Sequence, residues 1–283
     1  MAKLEGVRND RPAGPKEAEA AAPPAPPVVP PADPAPRPPK AATEAPPAAA
    51  TPVEVQGLDV TAADRVTGEE QGTYETYRPA LKIAGSKPHP TPLVESTAMA
   101  SVEAPPTDYQ PKLPKELIEN GTLSEAQLEA IVYAGHMHQQ ALPMPTEERE
   151  KFEKATGRPA PETKRRGYFV GDGTGVGKGR TASGIILDNF NQGRRKAVWI
   201  SERKELMRDS VQYWTDLGGK AKDVKGLHQF KSGEKIAHGD GILFGSYTTI
   251  GQAARAKGET EADKAKLSRV EQILEWAGPD FDG

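Results

Sequence analysis

The chain has 283 residues, 37 Lys and Arg against 40 Asp and Glu, a formal net charge of −3 and no cysteine. Absence of cysteine excludes disulfides and thiolate metal sites and suits a reducing cytoplasm, the expected location. No apolar run approaches the ~20 residues that span a bilayer, and Met1-Ala2-Lys3-Leu4-Glu5 lacks the apolar stretch of an export signal, so no membrane role is expected.

Residues 1–55 contain 15 Pro and 15 Ala and almost no large apolar side chains. Such a segment cannot bury enough surface to offset backbone ordering, so a disordered, proline-stiffened tail is predicted. Residues 56–114 remain proline-rich and polar, with Tyr74, Tyr77, Leu81, Ile83, Leu93, Val94 and Met99 scattered through them. They read as an extended, mostly irregular lead-in to an ordered domain over 115–283. Residues 161–283 hold 21 Lys and Arg against 17 Asp and Glu, a local +4. That balance fits a domain facing nucleic acid and fits an ordinary solvated surface nearly as well. Lys164-Arg165-Arg166 and Arg194-Arg195-Lys196 read as solvated loops.

Ser124 stands three residues before Gln127, a capping-box spacing, and Leu128, Ile131, Val132 and Gly135 follow at helical intervals. A helix from Ser124 to Gln140 is predicted. His136 and His138 fall on different faces of it, and no further ligand accompanies them, so no metal site is assigned. A charged, proline-rich insertion over 142–166 follows.

The run Gly171-Asp172-Gly173-Thr174-Gly175-Val176-Gly177-Lys178-Gly179-Arg180 lies between an apolar stretch, Gly167-Tyr168-Phe169-Val170, and a helical pattern of Ala182, Ile185, Ile186 and Phe190. Strand, glycine-rich turn, lysine and helix form the layout of a phosphate-binding loop. Glycines let the backbone approach phosphate oxygens, Lys178 reaches the β- and γ-phosphates, and the helix N-terminus adds partial positive charge. Two positions depart from G-x-x-x-x-G-K-[ST]: Asp172 replaces the first glycine and Gly179 the final hydroxyl residue. Glycine there removes the side chain that commonly ligates Mg²⁺, which leaves Thr181 as the nearest substitute.

Ala197 to Ile200 and Gly241 to Phe244 are short buried-strand patterns. Glu205 to Leu217, a segment opening at Ser246, and Leu267 to Ala277 read as helices. Strands alternating with helices predict an α/β fold, a parallel sheet with flanking helices.

The loop is similar to the first motif of superfamily 2 helicases and translocases. It is closer still to the strawberry notch family, where Gly-Asp-Gly-x-Gly-Val-Gly-Lys-Gly-Arg is typical and Gly179 is a family trait. The resemblance extends to LSEAQLEAIVYA (123–134), Trp199-Ile200-Ser201, GILFGSYTT (241–249), EWAGPDFDG (275–283) and the run His89 to Ser96. It implies an incomplete RecA-like P-loop NTPase lobe that binds ATP with Mg²⁺. Gly173, Thr174, Gly175, Val176, Gly177, Lys178, Gly179 and Arg180 then match the phosphate cradle, with Lys178 catalytic. Gln127 matches an adenine-reading glutamine, with a helix-capping role as the alternative. Ser201, Arg203, Lys204 and Thr248 match positions that touch the backbone of DNA or RNA.

In the family, an apolar strand ending in Asp-Glu-Ala-His follows Gly-Pro-Asp-Phe-Asp-Gly and supplies the metal-positioning and water-activating carboxylates. That motif is absent from residues 1–283, as is a second RecA-like lobe. The expectation is therefore a fragment that binds nucleotide with negligible turnover. An open sheet edge is expected to be covered by a protein partner or by the remaining C-terminal part. The alternative is a non-catalytic nucleotide- or partner-binding regulatory protein.

Overall fold

A computed structural model describes residues 60–62, 73–252, 267–279 and 281. The tail predicted over 1–55 lies outside them, as do Asp280 and Asp282. The first short strands pair antiparallel: β1 (Val60–Ala62) with β3 (Leu81–Ile83), and β2 (Tyr74–Thr76) with β4 (Val94–Ser96). One turn of helix, α1 (Thr97–Ala100), follows, and α2 (Lys115–Glu119) leads into α3 (Glu125–Gln139). Then come β5 (Ala141–Pro143), α4 (Thr146–Thr156) and β6 (Thr163–Arg165), with β5 and β6 antiparallel. The insertion thus contains a helix that the sequence reading left out. Its eleven residues are charged nearly all round, so no apolar stripe marks it. Pro145 precedes it, Lys151 bonds Glu147 at 2.6 Å one turn back, and Gly157 at φ 66° closes it.

The centre of the C-terminal part is a parallel sheet of order β7 (Lys196–Ser201), β9 (Gly241–Ser246), β8 (Val224–Gly226). α6 (Met207–Asp216) runs between β7 and β8, and α7 (Tyr247–Gln252) and α8 (Arg269–Ala277) follow β9. The loop helix α5 (Lys178–Asn191) precedes β7. All six residues of β9 are buried, as expected of a strand covered on both faces. Alternation decides which face each side chain joins. Ile242 and Phe244 pack with Trp214, Ala197 and Trp199 on the α5–α6 side, whereas Leu243 packs with Val198, Trp276 and Leu227 beneath α8.

One expected strand is missing. Residues 167–170, ahead of the phosphate loop, form no strand, and Phe169 is 88% exposed. Among the described residues β7 hydrogen-bonds only to β9, so no strand lies beside 167–170 to complete a ladder. An apolar run alone does not make a strand when its backbone groups lack a neighbour.

The lead-in is more than a covering. Leu81, Ile83, Tyr109 and Leu113 enter the same apolar cluster as Leu128, Ile131 and Val132 of α3. Two carboxylates fasten this segment down. Glu129 of α3 accepts the N–H groups of Ala80 at 2.5 Å and Leu81 at 3.0 Å. Asp188 of α5, 1% exposed, accepts the Tyr109 hydroxyl, the Lys112 N–H at 2.7 Å and Gln192 Nε2 at 2.8 Å. Burial, then the bond to Asp188, pushes the Tyr109 phenol up.

Candidate functional site

The glycine-rich loop ends where α5 begins. Gly177 caps that helix at φ 89° and Gly175 lies at φ 96°, both in the left-handed region that favours glycine. A Cβ added at Gly173 or Gly175 would meet nothing within 4 Å, so the loop opens on free space. Lys178 lies in the first turn of α5, and its Nζ donates to the carbonyls of Asp172 and Gly173, each at 2.8 Å. Thr174 and Lys178 are exposed, whereas Val176 and Gly179 are partly buried. Burial raises the Asp172 carboxyl and the Lys178 charge opposes that rise.

Two further residues that the resemblance assigns to the nucleotide site are held by protein partners. Arg180 donates from its guanidinium to Asp216 Oδ2 at 2.9 Å and to the Thr122 carbonyl at 3.4 Å, tying α5 to α6 and to the turn before α3. Gln127 is 3% exposed beneath the loop. Its Nε2 donates to the Val176 carbonyl at 2.9 Å and its Oε1 accepts the Ser124 N–H at 3.1 Å.

The residues present fit a polyphosphate: open glycine backbone, an exposed lysine and a helix N-terminus. They do not fit a cation held in the usual way. Gly179 offers no hydroxyl, and a Cβ there would fall 2.2 Å from Tyr213 Cε2. Thr181 is 0% exposed, so its hydroxyl is not presented to a ligand. Among the described residues no group of three or more His, Cys, Asp or Glu side chains is placed to hold a metal.

A second concavity lies at the carboxyl ends of the parallel strands, where open α/β sheets bind ligands. Ser201 and Ser246 are register partners at the ends of β7 and β9. The cleft beyond them, about 410 Å³, is lined by Arg203, Lys204, Thr248 and Thr249 together with His228 and Arg269. Three of the four predicted nucleic-acid residues therefore line one cleft, and Ser201 sits on its rim strand. His228 and Arg269 were missed because each stands alone in sequence; only the closing of β8 and α8 onto β9 brings them there. Arg269 donates to the carbonyls of Leu227 at 3.3 Å and Phe230 at 3.0 Å, which fixes its position. Glu202 and Glu205 also line the cleft, so its charge is mixed.

The family described as P-loop containing NTP hydrolase pore-1 matches residues 88–283. The chain belongs to this family. The strawberry notch resemblance is borne out as well. Protein strawberry notch homolog 1 of Gallus gallus is 36% identical over 216 residues, 75% of this chain and 15% of that protein. Protein strawberry notch of Drosophila melanogaster is 36% identical over 229 residues, 78% of this chain and 12% of that protein. Protein FORGETTER 1 of Arabidopsis thaliana is 33% identical over 235 residues, 82% of this chain and 16% of that protein. The chain thus spans 10–16% of the length of the curated relatives it matches. No solved structure matches it. Among the described residues no helix is long and apolar enough to cross a membrane.

Proposed function

We propose that this chain is the ATP-binding part of a strawberry notch-like superfamily 2 helicase or translocase, with DNA or RNA as its second ligand. The observation that carries the reading is the loop itself: two left-handed glycines, open space around Gly173 and Gly175, and Lys178 at the start of a fourteen-residue helix. Bound ATP would supply the phosphoanhydride whose hydrolysis drives movement along nucleic acid. The chain's own residues bind and orient. Backbone N–H groups of residues 173–179 face phosphate oxygens, and Lys178 Nζ exchanges its two carbonyl partners for them. Arg203, Lys204 and Thr248 contact nucleic-acid phosphates at the strand-end cleft.

Turnover needs carboxylates that position metal and water, and the Asp-Glu-Ala-His motif does not occur in residues 1–283. A polypeptide limited to residues 1–283 is therefore expected to bind nucleotide with negligible hydrolysis. The test is saturable binding of an ATP analogue, compared with Lys178→Ala. Loss of binding in the variant supports the reading; equal binding refutes it. ATPase activity that co-purifies with residues 1–283 and dies with Lys178→Ala would refute the non-hydrolysing part.

One observation favours the partner-binding reading alongside it. Among the described residues β7 pairs on one edge only, and a cavity of about 370 Å³ lies between Val198, Ile186, Phe190 and Gly167. A strand from a protein partner, or from the remaining C-terminal part of a longer chain, suits that slot.

A further inference from the structure

Gln127 occupies the first turn of α3, yet both ends of its amide are committed inside the protein. The oxygen accepts the Ser124 N–H at 3.1 Å, closing the helix start. The nitrogen donates to the Val176 carbonyl at 2.9 Å and approaches the Gly177 carbonyl at 3.5 Å. An amide supplies one acceptor and two donors on the same carbon, so a single side chain serves helix and loop together. The approach leaves no room for a side chain opposite. A Cβ at Gly177 would lie 2.4 Å from Gln127 Nε2.

The consequence follows from peptide geometry. No cis peptide occurs among the described residues, and in a trans peptide the carbonyl and the following N–H point to opposite sides. Holding the Val176 carbonyl against α3 therefore turns the Gly177 N–H away from α3. We infer that Gln127 is a positioning residue of the phosphate loop: it sets the Val176–Gly177 peptide so that the Gly177 N–H faces the polyphosphate, and it does not read the base. This inference rests on the nucleotide reading of the loop. It assigns the glutamine to the phosphate end of the ligand, whereas the family resemblance implies contact with adenine.

The two roles separate by ligand. The 283-residue chain and the variants Gln127→Glu and Gln127→Met are titrated with ATP and with inorganic tripolyphosphate, which has no base. Glutamate keeps an acceptor for the Ser124 N–H but sets a carboxylate oxygen against the Val176 carbonyl. Methionine keeps the volume and removes both bonds. Both variants are expected to weaken ATP and tripolyphosphate by the same factor, about tenfold or more, which is ~1.4 kcal/mol per tenfold. Weakened ATP binding with tripolyphosphate unchanged overturns the inference in favour of base contact. Unchanged binding of both ligands overturns it too. Loss of cooperative unfolding in both variants does the same, since the residue would then hold the core and not the loop. Failure of the unmodified chain to bind either ligand would instead sink the nucleotide reading beneath it.

Discussion

Gly179 occupies the loop position where a hydroxyl residue is common, and the structure supplies a steric reason that can be measured. A Cβ there would fall 2.2 Å from Cε2, 2.4 Å from Cδ2 and 2.9 Å from Cζ of Tyr213. These atoms belong to a rigid ring on α6, so the side chain must leave its place as a unit. Forcing extra volume into a packed contact costs about 1–3 kcal/mol. Helix propensity acts the other way, since alanine in place of glycine stabilises a helix by up to ~1 kcal/mol. Gly179→Ala is therefore expected to destabilise the intact chain by about 1–2 kcal/mol and to stabilise the Tyr213→Ala background by up to ~1 kcal/mol. The effect reverses sign between backgrounds, with a coupling energy of about 1–3 kcal/mol. Urea unfolding of the four proteins in this cycle measures it directly. If the two substitutions add within ~0.5 kcal/mol, the ring does not exclude a side chain at 179 and the steric account is wrong.

Tyr109→Phe removes one of three hydrogen bonds to the buried Asp188 carboxylate. A bond to a charged group is worth about 1.5–3 kcal/mol, so the melting temperature should fall by roughly 3–12 °C at ~2–4 °C per kcal/mol; no change would mean the tether is idle. Burial lowers the proton affinity of His138, reinforced by Arg165 and Arg194, and burial also lowers that of His238. Below about pH 6.5 the unfolded chain then binds more protons than the folded one. Stability should rise with pH from the depressed folded values up to that point. His138→Gln should flatten the slope in denaturant titrations at pH 5–7, and an unchanged slope counts against it. Arg203→Ala with Lys204→Ala should weaken DNA or RNA binding and reduce its salt dependence by about two units of slope. A salt slope equal to the parent's would remove these residues from the interface.

The sequence reading was most accurate where one local signal carried the whole requirement. Helix α3 begins after Ser124 and ends at Gln139 because capping spacing and apolar interval agree there. β7 and β9 coincide with their apolar runs to within two residues. Signals failed where structure depends on a distant neighbour. Val224-Lys225-Gly226 has no strand pattern of its own and becomes β8 because β9 offers it an edge. Gly167 to Val170 has the apolar pattern and no neighbour, and it remains outside any strand. Gln127 is assigned to adenine by resemblance, with helix capping as the alternative; the structure shows the capping bond from Ser124, while the bond to Val176 spans 49 residues and leaves no trace in local composition. The family motif groups Arg180 with the phosphate cradle, and only the fold reveals that Asp216 holds it.

The bond between Tyr109 and Asp188 has a consequence for the order in which the chain is made. Seventy-nine residues separate the two partners, which ribosomes add at ~5–20 per second, an interval of roughly 4–16 s. During that time Leu81 and Ile83, joined by Leu113 and the apolar face of α3 as these are made, exist without the helix that completes their cover. The nascent segment must wait in a sticky, half-built form, and a chaperone that holds extended apolar chain would act in that window. The phosphate loop, emerging just ahead of α5, is set only when the wait ends.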